Sequence, residues 1–132
     1  MKSGFPTAAG YSSERAHHQP LTVIDIHSEQ AAVTDPYRNW VVYDINEHCM
    51  RLAVFEGEYR WHSHPDSDEL FLVAAGELQI DFEEGARVTL AEWQSIVVPA
   101  GTAHRTRAIG RTVNVTFEKR HARTVFIEKT DV

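Results

Sequence analysis

From Leu21 onward the apolar residues recur mostly at every second position, in short runs closed off by turn residues. Side chains at alternate positions of an extended chain share one face, so this period belongs to strands that bury a side. Runs over 21–26, 40–45, 48–55, 58–63, 69–74, 77–82, 87–90, 95–98, 103–108 and 112–118 read as strands, with 124–128 as a last edge strand. Between them stand Gly57, Ala75-Gly76, Glu83-Glu84-Gly85, Pro99-Ala100-Gly101 and Ile109-Gly110, which set the dihedrals of tight turns. Only 28–32 has helical character, with Ser28 as its cap. About ten short strands with almost no helix predict an all-β fold, a sandwich or small jelly-roll barrel. At 132 residues there is room for one such domain, over 21–132. Residues 1–20, with their Gly, Ser, Pro and Ala, read as a flexible arm. Several strands are apolar on both faces, as in Leu70-Phe71-Leu72-Val73 and Ile96-Val97-Val98. Their outer side needs a cover: another sheet, the N-terminal arm or a second subunit.

Two segments carry chemistry: Trp61-His62-Ser63-His64, followed by a Pro65-Asp66-Ser67-Asp68 turn and Glu69, and Pro99-Ala100-Gly101-Thr102-Ala103-His104. Imidazoles two residues apart on a strand point to the same face, with Cα atoms roughly 6.5–7 Å apart. They can lean together onto one ion at about 2.1 Å each. On a helix the same spacing would send them to different sides. An antiparallel return over the turn would bring Glu69 back beside His64. A lone His-x-His is ordinarily a pair of solvated or hydrogen-bonded histidines; Glu69 at turn distance and His104 after a Pro-x-Gly turn shift the balance to a four-donor metal site. Three neutral imidazoles and one carboxylate leave a divalent ion with a charge of about +1 and, in an octahedral field, two open positions. The set suits Fe, Mn, Co, Ni, Cu or Zn, and is a poor match for a closed, cysteine-rich structural zinc site.

The stretch from Gly57 to Gly76 resembles the first motif of the cupins, in which a Gly precedes a His-x-His pair, a Glu and a second Gly. His62, His64, Glu69 and Gly76 fall on that pattern, and Pro99-Ala100-Gly101-Thr102-Ala103-His104 is similar to the second motif. The resemblance is to small single-domain metal-binding cupins of the mannose-6-phosphate-isomerase-like kind. It implies a double-stranded β-helix barrel and a homodimer, with His62, His64, Glu69 and His104 as ligands to one divalent transition metal. Its activities range over dioxygenases, isomerases and decarboxylases. Three positions depart from the pattern: Gly57 is one residue closer to His62, Trp93 stands where the second motif begins with Gly, and Ala108 replaces an occasional Asn. A bulky side chain is strained at positive φ, so the turn at Ala91-Glu92-Trp93 is expected to take another conformation.

If His62 and His64 point inward, strand parity sends Arg60 and Glu58 the same way. An inward Arg60 would clamp a carboxylate or phosphate with its forked donors; at the rim it would instead pair with an acid such as Glu58. Phe71 and Val73 share the face of Glu69, and Thr106 that of His104. Arg60, Phe71 and Thr106 are therefore the candidate substrate contacts. Arg105 and Arg107 fall on the outer parity, and Trp40, Tyr43 and Trp61 read as packing residues. His17-His18 reads as part of a solvated tail.

Thirteen Lys and Arg against nineteen Asp and Glu give a charge of −6 with no basic tract, which argues against nucleic-acid binding. The first twenty residues lack an apolar run long enough for a signal peptide or membrane span. The single Cys49 cannot form an internal disulfide and reads as a small buried apolar residue, so a cytoplasmic location is expected. No phosphate loop, Gly-x-Ser-x-Gly elbow or His-Glu-x-x-His is present. No lysine stands near the motifs to help hold a sugar phosphate. The reading favoured is an enzyme of dioxygenase or isomerase type using the metal on a small organic acid, phenol or sugar derivative. The alternatives are a non-catalytic binding or sensing module with the metal as ligand anchor, and a cupin whose metal is vestigial or structural.

Overall fold

The computed structural model describes residues 7, 8, 10 and 14–128. Among the described residues a short helix, α1 (Ile26–Ala31), precedes nine strands: β1 (Tyr37–Ile45), β2 (His48–Glu58), β3 (His62–Ser63), β4 (Glu69–Ala75), β5 (Leu78–Phe82), β6 (Arg87–Leu90), β7 (Ser95–Val98), β8 (His104–Lys119) and β9 (Val125–Phe126). Every pairing is antiparallel, and β8 is the hub, bonded to β2, β3, β4 and β5. A bend near Gly110, at φ 72°, divides it. Before the bend it pairs with β3 and β5; after it, with β4 and most of β2. One long strand shared in this way curls the sheet into the jelly-roll barrel that the alternation predicted.

Two apolar clusters lie on opposite sides of the sheet. Inside, Phe71, Val73, Leu78, Ile80, Leu90 and Val98 fill one end of the barrel. Outside, Trp40, Val42, Leu52, Val54, Val113 and Val115 form a second core, against which Val33, Ile24 and Ile26 pack. Each aliphatic side chain so buried stabilises the fold by about 1.5–3 kcal/mol. The cover for this outer face is thus the segment around α1. Arg111, on β8, fixes it by donating to the carbonyls of Gln30 (2.8 Å) and Val33 (3.2 Å), which lie at the helix C-terminal end.

Several expectations are corrected. Residues 21–26 are not a strand: Leu21 has φ 67° and, like Val23, is exposed. The helix starts at Ile26 and its cap is Asp25, whose carboxylate accepts from the Ser28 amide at 3.1 Å. Ser28 lies inside the first turn. The run 58–63 is split, because β2 ends at Glu58 and β3 begins at His62. The runs 103–108 and 112–118 are one continuous strand, since Gly110 bends the ladder without ending it. Trp93 does adopt the positive-φ conformation, at 66°, in spite of its bulk. Its amide donates to Val73 O at 2.7 Å and its ring is exposed, so the turn is held by backbone bonds and the indole meets no wall.

Of the arm over 1–20, residues 1–6, 9 and 11–13 lie outside the described residues. Further along it, the His17 and His18 amides donate to Val41 O and Val42 O, and the His18 ring pairs with Glu29 at 2.6 Å. Cys49 is fully buried, and burial together with nearby Glu118 pushes its thiol up to about 11.

Candidate metal centre

The two-residue β3 sits between β8 and β9, with His62 directly opposite His104. The adjoining turn is tied to the second motif: Gly101 N donates to His64 O at 2.9 Å, and Ala100 N to Asp68 Oδ1 at 2.8 Å. Glu69 opens β4, so the antiparallel return expected from the turn residues does bring its carboxylate back to His64. Ring centroids are 4.4 Å apart for His62 and His104, and 5.1 Å for His62 and His64. All four side chains are buried.

Their hydrogen bonds dictate which atoms face one another. Nδ1 of His62 lies 2.8 Å from Arg60 O, Nδ1 of His64 2.9 Å from Arg123 O, and Nδ1 of His104 2.9 Å from Thr102 O. A carbonyl only accepts, so each Nδ1 carries the proton, and in the neutral ring Nε2 is left as a lone pair. The Nε2 atoms of His64 and His104 stand 3.2 and 3.5 Å from Glu69 Oε1. Yet Glu69 Oε1 and His104 Nε2 are buried without a hydrogen-bond partner. Acceptors converging on acceptors in a dry site are stable only around a cation or a trapped proton. Nitrogen and carboxylate donors in this ratio suit a divalent transition ion.

The electrostatics of the metal-free site follow from the same crowding. Burial, then the charge of His104, push His62 down to about 3, so it stays neutral. Burial works against protonation of His64 too, but the Glu69 carboxylate beside it prevails and raises it to about 9. Burial alone would raise the Glu69 carboxyl, whereas His104 and His64 hold it well below the usual range. A further acid, Glu118 of β8, stands against this group. Burial and the neighbouring Glu69 charge raise it to about 8.

Beside these side chains lies a cavity of about 70 Å³. Tyr37, Phe55, Tyr59 and Phe71 form its apolar walls, and Arg51, Asn114, Thr116 and Glu118 a polar one. Asn114 is buried, and its Oδ1 has no hydrogen-bond partner. Arg51 Nη1 donates to Glu14 Oε1 at 2.9 Å and Asn39 Oδ1 at 3.1 Å, with its Nε 3.9 Å from Glu118 Oε1.

A family profile described as the cupin domain matches residues 49–117, more than half of the chain. The chain is a cupin. It is 50% identical over 97 residues to the protein YdbB of Bacillus subtilis (strain 168), an alignment covering 74% of this chain and 86% of that one. Among solved structures it is similar to a cupin-2 domain containing protein from Shewanella frigidimarina, with TM-score 0.69, 30% identity and coverage of 74% and 94%. It is also similar to protein NMB1881 from Neisseria meningitidis, with TM-score 0.68, 26% identity and coverage of 74% and 99%.

In this cupin His62, His64, Glu69 and His104 are brought together, and Phe71 and Thr106 line the cavity as the strand faces implied. Arg60 does not line it. Its guanidinium lies over the Phe126 ring, 3.7 Å from the centroid. Parity fails because β2 ends at Glu58 and β3 begins only at His62, so the strand alternation does not run through Arg60, and Tyr59 lines the cavity instead. Glu58 consequently faces out to Arg107 at 2.8 Å, and Arg105 and Arg107 both reach Asp81 at 3.1 Å. Trp40 is buried in the outer core, and Trp61 lies under Arg105. The residues that sequence reasoning missed are Arg51, Asn114, Thr116 and Glu118. Thr112, Asn114, Thr116 and Glu118 alternate with Val113, Val115 and Phe117, a pattern ordinarily read as polar side out. Here the apolar side meets the outer core and the polar side enters the barrel.

Proposed function

We propose that this cupin is a metal-dependent enzyme for a small polar organic substrate, of dioxygenase or isomerase type. One divalent transition ion would be held by Nε2 of His62, His64 and His104 and the Glu69 carboxylate. The single observation that carries the reading is the set of carbonyls from Arg60, Arg123 and Thr102, which fix all three imidazoles in the tautomer that offers Nε2. When bound, such an ion supplies Lewis-acid or, if redox-active, oxygen-dependent chemistry.

The chain's own residues define what can enter. Phe55, Phe71 and Tyr59 exclude water and limit the ligand to a small molecule. The unpartnered Asn114 Oδ1 accepts from a ligand hydroxyl or amine, and Thr106 and Thr116 add hydroxyls that both donate and accept. Arg51 and Arg120 both already hold Glu14, the first by its carboxylate and the second by its backbone carbonyl. Arg120 Nη1, buried in the cavity lining without a hydrogen-bond partner, adds a cationic donor that suits a carbonyl or carboxylate oxygen of the substrate.

The test is elemental analysis of protein purified without added metal, beside His104→Ala, followed by oxygen-uptake and isomerisation assays on small hydroxy acids, phenols and sugars. The expected result is about one transition ion per chain in the wild type, little in the variant, and turnover only in the former. Equal metal in both proteins would contradict the ligand set. A stoichiometric ion without turnover would instead assign the site to ligand anchoring.

A further inference from the structure

Glu118 is a buried acid beside the site that the proposed ligand set does not use. It is 8% exposed and projects from β8, the strand that also carries His104. One ligand atom each from His64, Glu69 and Glu118 lies within 4.8 Å of the others, just as one each from His62, Glu69 and His104 does. Glu69 belongs to both groups, and its Oε1 is buried without a hydrogen-bond partner. Two carboxylates are therefore packed side by side in a site largely closed to water. Arg51 Nε stands 3.9 Å from Glu118 Oε1, and the Nη1 of the same guanidinium is engaged by Glu14 and Asn39.

We infer that Glu118 is a fifth protein donor to the metal, entering on the side of His64. The inference rests on the proposed metal centre and deepens it. A second carboxylate brings the donor set to three imidazoles and two carboxylates, which balances the charge of a divalent ion. It also adds an oxygen donor, which favours oxygen-preferring ions such as Mn(II). With Glu118 among the donors, a divalent ion held here would keep fewer positions for a small ligand than with His62, His64, Glu69 and His104 alone. The residue thereby controls how a ligand engages the ion.

The probe is Mn(II) alone, titrated into the full chain and followed by the EPR signal of free ion, by water-proton relaxation and by thermal melting. In Glu118→Gln the affinity is expected to fall about tenfold or more. Bound Mn(II) should gain an exchangeable water, and the rise in melting temperature on metal addition should shrink. The metal-free variant should melt no lower than the wild type, because an acid has been removed from beside Glu69. Glu118→Asp, which keeps the carboxylate, should recover part of the affinity. Wild-type affinity and hydration in Glu118→Gln would overturn the inference. So would a lower melting temperature of the metal-free variant with an undiminished metal-induced rise, which marks a merely structural role. His104→Ala in the same titration separates the two readings: loss of binding there but not in Glu118→Gln leaves the metal centre standing without Glu118. A wild type that takes up none of Mn, Fe, Co, Ni, Cu or Zn removes both.

Discussion

At the scale of the residue, the backbone carbonyls behind the three imidazoles matter as much as the imidazoles. They come from Arg60, Thr102 and Arg123, so the site is fixed by the strand ends and by the chain leading into β9. His64 has a second constraint. In the metal-free protein it keeps its proton up to about pH 9, because the Glu69 carboxylate outweighs the effect of burial. A group raised above its ordinary 6.5 stabilises the metal-free fold fully below that value, and the contribution fades as pH rises through about 9. Metal uptake runs the opposite way, since the ion must displace the same proton. Apparent affinity should therefore rise by about tenfold per pH unit for each proton displaced, that of His64 up to about pH 9 and, with Glu118 as a donor, that of Glu118 up to about pH 8. Calorimetry in buffers of different ionisation heat measures the affinity and the protons displaced; an affinity independent of pH would contradict the assignment. The histidines and Glu69 were legible in the sequence because parity and one turn sufficed to place them. Arg60 was misplaced by the same parity rule, as nothing in Glu58-Tyr59-Arg60 announces that the strand ends at Glu58 and resumes only at His62.

At the scale of the element, β8 and the Gly76 turn depend on each other. Gly76 has φ +91°, and a Cβ there would stand 2.6 Å from Thr112 Oγ1 and 2.8 Å from Arg111 O. Thr112 itself donates to Glu77 O at 3.0 Å, so the turn after β4 is docked on the bend of β8. Gly76→Ala combines a positive-φ side chain with a backbone clash and should cost about 2–5 kcal/mol in urea denaturation. A change below about 0.5 kcal/mol would mean that the bend yields freely. Short strands closed off by nearby turn residues were read to the residue, as at Arg87–Leu90 and Ser95–Val98. Errors arose where the answer lay far away in sequence. Residues 21–26 alternate like a strand, yet Ile24 and Ile26 serve to cover Val113 and Val115, nearly ninety positions on. The inward ladder of Asn114, Thr116 and Glu118 was illegible for the same reason: which face of β8 is wet depends on that distant cover.

At the scale of the whole molecule, the barrel is filled with hydrocarbon at one end and left hollow and polar at the other. Phe71, Val73, Leu78 and Ile80 set the rigid end, from which β4 and β8 carry Glu69 and His104 to the hollow one. The outer core lets β8 turn its polar face inward, so the cover over α1 shapes the cavity without touching it. Anomalous diffraction from crystals of the metal-loaded protein tests this account most directly. It predicts a single peak inside the barrel, enclosed by Nε2 of His62, His64 and His104 and by the Glu69 carboxylate, at about 2.0–2.2 Å from each. A peak bound elsewhere on the chain, or imidazoles whose Nε2 atoms point away from it, would contradict the account.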